Sequence, residues 1–262
     1  MLLAIDVGNT NAAFALYDGA RRISDWRIPL GSFASSDELA STLGGRFASV
    51  GRALGDVDGI AISSVVPDRT ATFLSVCRAA FHADPLLIGP NTDLGLDVRY
   101  RPSGDVGTDR LLDAAMALDR YGPAPLIVVD AGSATTFNAV GAPNVFLGGA
   151  ICPGIAVAWD AMFERAARLA PVEFAAPPSA LADNTVHAIQ SGIVFGSAAM
   201  VDGMVRRIQA AMHAPNCRVI ATGGNLSEAI ANACETIATV DPWLTLDGLA
   251  LAYGLNRARG EW

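Results

Sequence analysis

Two short segments of this chain end an apolar run with an acid and place a glycine two residues later. Asp6-Val7-Gly8-Asn9-Thr10-Asn11 follows Leu2–Ile5, and Asp130-Ala131-Gly132-Ser133 follows Leu126–Val129. The chemistry available to such a turn is specific. A glycine lets backbone N–H groups approach a ligand closely, and successive exposed N–H groups form a concavity that favours anions such as phosphate. The polar residues Asn9, Thr10 and Asn11 add donors to the first turn, and Ser133, Thr135 and Thr136 add them to the second. An acid at the strand end can hold a cation or its water shell. One such turn is an ordinary turn signal. Two at matching positions point to a shared task.

A third constellation is Gly107-Thr108-Asp109-Arg110, after a loop containing Pro102 and Gly104. Asp109 suits the start of a helix, where the macrodipole favours an acid. Arg110 in the same turn lies against that dipole, which suggests an anion to bind. Side by side, the two suit a substrate with a hydroxyl at one end and a carboxylate at the other. Two glycine-rich segments, 148–155 (GGAICPGI) and 222–225 (TGGN), are each placed between a strand and a helix. Each is either a tight turn or a place where a nucleotide lies close to backbone.

The elements that must position these residues alternate between strand and helix. Strands are expected at 2–5, 12–17, 22–28, 59–65 and 85–88, with helices over 36–54, 68–82 and 109–121. A second cycle gives strands at 126–129, 135–140, 145–151 and 219–221, with helices over 155–169, 185–213 and 246–259. This alternation predicts an α/β fold. Both cycles read apolar strand, Asp, small residue, Gly, polar residue, second β-rich run, so the chain reads as an internal duplication. The expected domains are 1–118 and 119–262, with a boundary near Gly122-Pro123. Two such turns facing each other would form a cleft, a common place for a small molecule.

Composition narrows the function classes. The 262 residues carry 18 basic against 26 acidic groups, a net charge of −8. No basic patch stands out, so neither nucleic acid nor an anionic membrane is an expected partner. Every basic residue is Arg, which excludes a catalytic lysine or a P-loop lysine. Four Cys and three His residues are scattered without zinc-ligand spacing. Unpatterned thiols suit a reducing cytosol. The start MLLAID has no signal-peptide pattern, and the uncharged stretch 131–159 is broken by Gly and Pro. A cytoplasmic protein is expected.

Taken together, DVGNTN (6–11), GTDR (107–110), DAGSATT (130–136), GGAICPGI (148–155) and NTVHAIQSG (184–192) resemble the type III pantothenate kinases. The resemblance runs in order along essentially the whole chain. It implies duplicated actin-like (ribonuclease H-like) domains, with mixed sheets flanked by helices and a cleft between them. It implies ATP-dependent phosphorylation of pantothenate to 4'-phosphopantothenate, the first step of coenzyme A biosynthesis. The cofactors it implies are Mg²⁺ and a monovalent cation, K⁺ or NH₄⁺, and the assembly is a homodimer. Carried over, Asp6, Val7, Gly8, Asn9, Thr10, Asn11, Ala12 and Ala13 bind ATP, with Asp6 reaching Mg²⁺ through the phosphates. Ser133 is a nucleotide contact and Asp130 the monovalent-cation ligand. Gly107, Thr108, Asp109 and Arg110 bind pantothenate, with Asp109 as proton acceptor, and Tyr100 and Thr185 line the same pocket. The family usually carries an acid where this chain has Asn138. Two other readings of the same fold are a phosphohydrolase, with water as nucleophile, and a non-catalytic nucleotide-binding regulator.

Overall fold

The computed structural model describes residues 1–166 and 168–259. Its two sheets repeat one topology. The first has the order β3-β2-β1-β4-β5 and is built from β1 (Leu2–Val7), β2 (Asn11–Asp18), β3 (Arg21–Pro29), β4 (Gly59–Ser64) and β5 (Leu86–Leu87). The second has the order β11-β10-β7-β8-β9-β6. It comprises β6 (Asp97–Val98), β7 (Leu126–Ala131), β8 (Ala134–Gly141), β9 (Val145–Pro153), β10 (Arg218–Thr222) and β11 (Thr239–Val240). With β6 set aside, β7 to β11 retrace β1 to β5 strand for strand. In each sheet the first three strands are antiparallel neighbours, and the fourth and fifth run parallel to the first. The duplication read from the motifs is therefore a duplication of the whole sheet.

The helices are α1 (Ser36–Ser49), α2 (Pro67–Phe81), α3 (Thr108–Tyr121), α4 (Ile155–Arg165), α5 (Thr185–Ala211), α6 (Glu228–Ala233) and α7 (Leu244–Arg259). Local chemistry explains several ends. Ser35, one residue before the expected start, caps α1 by accepting from the Glu38 N–H at 3.3 Å, and the Glu38 carboxylate accepts from the Ala34 N–H at 2.6 Å. Pro67 opens α2, where its missing N–H costs nothing. Asn184 caps α5 through the His187 N–H at 3.0 Å. Helix α1 stops at Ser49, short of the expected 54, and α4 stops at Arg165, short of 169. The elements β6, β11 and α6 have two, two and six residues, too few to show a period in the sequence.

The chain divides into two compact units, one of residues 1–96, 101–116 and 243–262 and the other of 97–100 and 117–242. In the first, Leu3, Ile5, Phe14, Leu39, Phe47, Ile60 and Phe73 form a buried core, with Phe14 stacked on Trp26 at 5.6 Å. The closing helix α7 belongs to this unit although its sequence lies in the expected second half. Asp247 on α7 accepts from the Tyr17 hydroxyl at 2.5 Å and from Arg22 at 2.9 Å, and Thr245 donates to Asp113 of α3 at 2.7 Å. In the second unit, Ile127, Val129, Phe137 and Val219 pack under Val201 and Val205 of α5. Helix α5 is long and apolar enough to cross a membrane by length and composition, and half of its most apolar window is buried against the protein.

Candidate active site

In the first unit, strand register gathers the chemistry. Asp6 of β1 lies beside Ser63 of β4 on one flank and Ala13 of β2 on the other, and Ala13 lies beside Arg27 of β3. Four strands thus present Arg27, Ala13, Asp6 and Ser63 in one row on one face. Helix α3 begins over the same end of the sheet, because the Ser63 and Thr108 hydroxyls are 2.9 Å apart. Asp109 follows in the first turn of α3, and its Oδ1 accepts from the Arg110 N–H at 2.8 Å. A side chain at 107 would put its Cβ 2.4 Å from that oxygen, so the glycine before the acid makes room for the carboxylate. Arg110 itself is buried, with 5% of its surface exposed.

Electrostatics marks the two acids as a pair. Burial raises Asp6 from its ordinary 3.8 to about 7, and the neighbouring Asp109 charge adds to the rise. The Ser63 hydroxyl and the Arg27 guanidinium offset part of it. Burial also raises Asp109, against the opposing pull of Arg110. Two half-buried carboxylates close enough to repel each other hold their charge poorly without a cation. Among the described residues no group of three or more His, Cys, Asp or Glu side chains is placed to cage a metal. One or two carboxylates, with the remaining ligands left to phosphates and water, is the donor set that Mg²⁺ uses. The site therefore fits that ion.

The first turn is closed by the Gly8 N–H donating to the Asn11 carbonyl at 3.0 Å. The Thr10 carbonyl accepts from the Leu30 N–H at 2.9 Å, which ties the turn to the end of β3. Asn9 and Thr10 are exposed at its tip, while Val7 and Ala12 are buried behind it.

In the second unit, the counterpart turn is built differently. The Gly132 N–H donates to the Ala134 carbonyl at 3.0 Å. Asn225 clamps the turn from the loop after β10: its backbone N–H donates to the Ala131 carbonyl at 2.9 Å, and its Nδ2 to the Gly132 carbonyl at 2.7 Å. Gly223, at φ +99°, comes so close that a Cβ there would be 2.4 Å from Asp130 Oδ1 and 2.5 Å from the Ala131 backbone. Gly154 backs onto the Ser133 carbonyl. The two glycine-rich segments singled out in the sequence thus converge on the second turn.

The remaining expected residues lie elsewhere in this unit. Tyr100 packs on Gly148, its ring 6.4 Å from Phe146. Thr185 opens α5 and lines a cavity of about 740 Å³ with Met162, Leu169, Asn184 and Ile189. Asn138 is fully buried in β8, where its Nδ2 donates to Thr136 Oγ1 at 3.2 Å, and Thr136 is the cross-strand neighbour of Asp130. Sequence reasoning missed Ser63 and Arg27, whose importance comes from register. The polar Ser63-Ser64 pair ending an apolar run was the available signal.

A family model for type III pantothenate kinase matches residues 2–207. A type III pantothenate kinase of Roseiflexus castenholzii is 43% identical over 257 residues, covering 98% of this chain and 100% of the relative. The chain belongs to the type III pantothenate kinases. Its reaction is that of the family: phosphate passes from ATP to pantothenate, in the first step of coenzyme A biosynthesis. Among solved structures, a conserved putative Baf family transcriptional activator from Campylobacter jejuni aligns with TM-score 0.61 and 20% identity, over 98% of this chain and 99% of that one. A ROK hexokinase from Thermus thermophilus aligns with TM-score 0.51 and 15% identity, over 99% of each. At these identities the likeness is one of fold, the actin-like and sugar-kinase architecture. Neither the phosphohydrolase nor the regulator reading is favoured by the family match.

Proposed function

We propose that this pantothenate kinase runs phosphoryl transfer from the carboxylate pair of its first unit. The observation that carries the reading is the pairing of half-buried Asp6 at the end of β1 with Asp109 in the first turn of α3, Asp6 raised to about 7 and Asp109 raised from its ordinary value. Asp109 takes the proton of the primary hydroxyl of pantothenate as its oxygen bonds to the γ-phosphorus. The bond from that phosphorus to the bridging oxygen breaks, and ADP leaves. A raised pKa makes Asp109 a better base than an exposed aspartate. Asp6 would hold Mg²⁺, which neutralises charge on the phosphate oxygens. Positioning and electrostatics then supply most of the rate.

Residues 6–13 cradle the ATP phosphates, with the exposed Asn9 and Thr10 as donors. Gly107, Thr108, Arg110, Tyr100 and Thr185 bind pantothenate. Ser133 contacts the nucleotide, and Asp130 takes the monovalent cation, K⁺ or NH₄⁺. Asn138 reaches this network through Thr136, so its neutral amide tunes the cation site from a distance.

The enzyme is cytoplasmic and works as a homodimer. The support for the dimer is apolar surface on the second unit: Ile151 is 62% exposed, Val157 52% and Leu181 90%, with Val186 close by in sequence on α5. Such residues at this density suit a two-fold interface.

Coupled ADP release with ATP, Mg²⁺ and K⁺, run with and without pantothenate, tests the function. Pantothenate-dependent release is the expected result. Release independent of pantothenate would mark a phosphohydrolase, and none a regulator. Sedimentation should give twice the 27.1 kDa chain mass.

A further inference from the structure

Arg27 stands on the Asp6 row with no assigned task. The row runs Arg27, Ala13, Asp6, Ser63 across β3, β2, β1 and β4. Adjacent strands are about 4.8 Å apart, so Arg27 starts two strand spacings, roughly 10 Å, from Asp6. Ala13 between them is too small to block a long side chain reaching along the face. Arg27 is exposed, although Trp26 and Ile28 beside it point into the core. Among the described residues it makes no hydrogen bond or salt bridge. Its charge is felt at Asp6 all the same.

Four other arginines of this unit are placed for different work. Arg22 is bonded to Asp247 and lies over the Trp243 ring, Arg69 lies over Phe33, and Arg78 pairs with Asp84. Arg110, next to Asp109 in sequence, is buried. The chain has no lysine to serve as the phosphate cation. A guanidinium on the same sheet face as Asp6, able to reach along it, offers the bidentate fork that a phosphoryl group takes.

We propose that Arg27 binds the γ-phosphoryl oxygens of ATP and neutralises the charge that moves onto them during transfer. This rests on the kinase reading above and adds a residue to it. The β-phosphate, on this account, is held by the backbone of the first turn, so Arg27 distinguishes ATP from ADP.

The test is calorimetric binding of Mg²⁺–ATP and Mg²⁺–ADP without pantothenate, for the native protein, Arg27→Gln and Arg27→Lys, alongside turnover. Removing one donor of this kind costs about 10²-fold in kcat. Arg27→Gln should show that loss and bind ATP roughly tenfold more weakly, with ADP affinity nearly unchanged. Arg27→Lys, which keeps the charge without the fork, should recover part of both. Thermal melts matching the native protein would show that the exposed position tolerates the change. Equal loss of ATP and ADP affinity, or unchanged binding and turnover in Arg27→Gln, overturns the proposal. If the native protein releases no ADP with pantothenate, the kinase reading fails, while the ATP-against-ADP comparison still decides the role of Arg27.

Discussion

The two D-x-G turns descend from one pattern and sit at the same place in the same sheet topology, yet their surroundings differ in kind. Around the first, side chains dominate: Asp6 meets a second carboxylate, a hydroxyl and a guanidinium. Around the second, the backbone of neighbouring loops comes close: Asp130 lies against Gly223, and Asn225 clamps both Ala131 and Gly132. The duplication copied a chain path, and the loops that reach each path decided its chemistry. On the proposed reading the first moves a proton and holds a divalent ion. The second, on that reading, holds its shape and through it a nucleotide and a cation.

The largest expected effect lies at the first turn. Asp109→Asn keeps the shape of the side chain and removes the proton acceptor, so kcat should fall about 10²- to 10⁴-fold, with nucleotide affinity retained. A variant keeping more than a third of native turnover would return Asp109 to the role of a first-turn helix acid. At the second turn the sensitive atom is in the main chain. Gly223→Ala forces a Cβ into Asp130 at a backbone angle that L-residues avoid. A loss of roughly 1–3 kcal/mol in stability is expected, read as a lower thermal midpoint. An unchanged midpoint would mean that the loop after β10 can back away, and the rigidity assigned to the second turn would be lost.

Much of this was legible in the sequence. The α/β alternation, both turns and the segments that converge on the second one could be read from spacing, because each is a local pattern of apolar run, acid and glycine. What could not be read was lateral. Ser63 and Arg27 join Asp6 only through the pairing of β4, β2 and β3, and strand order leaves no mark on the spacing along one chain. The return of α7 to the first unit was hidden for the same reason. Tyr17, Arg22 and Asp247 are ordinary residues until Asp247 accepts from both of the others. Asn138 shows the converse. Its departure from the family pattern was visible, but only the sheet shows it buried and bonded to Thr136.

A pH titration sharpens the contrast on the side of the first turn. Asp6 has an ordinary value of 3.8 and about 7 when folded without metal. Between these values the folded protein keeps a proton that the unfolded chain has released, so stability falls as pH rises through that window. Asp6→Asn removes the penalty. In metal- and nucleotide-free buffer the variant should match the native protein near pH 4. It should then gain on it up to about pH 7, by about 2 °C for each kcal/mol recovered in a chain of this size. Activity should be lost at the same time. A variant less stable than the native protein at pH 7 would show that Asp6 is a structural acid.

The smallest effect is expected from the clamp on the second turn. Asn225→Ala deletes the Nδ2 bond to the Gly132 carbonyl but leaves the backbone bond to Ala131 in place. One such bond contributes about 0.5–1.5 kcal/mol net. The turn would loosen without collapsing, since the Gly132 to Ala134 bond and the packing of Gly223 and Gly154 remain. If the second turn only holds the nucleotide, this loss appears in binding: KM for ATP should rise about two- to tenfold, with kcat close to native. Asn225→Asp should be worse than Ala, because it sets a negative charge against a carbonyl oxygen in place of a donor. The outcome that breaks the comparison is a fall in kcat approaching that of Asp109→Asn at unchanged KM. Such a result would give the second turn a part in the transition state, and the division between a reacting turn and a holding turn would have to be abandoned.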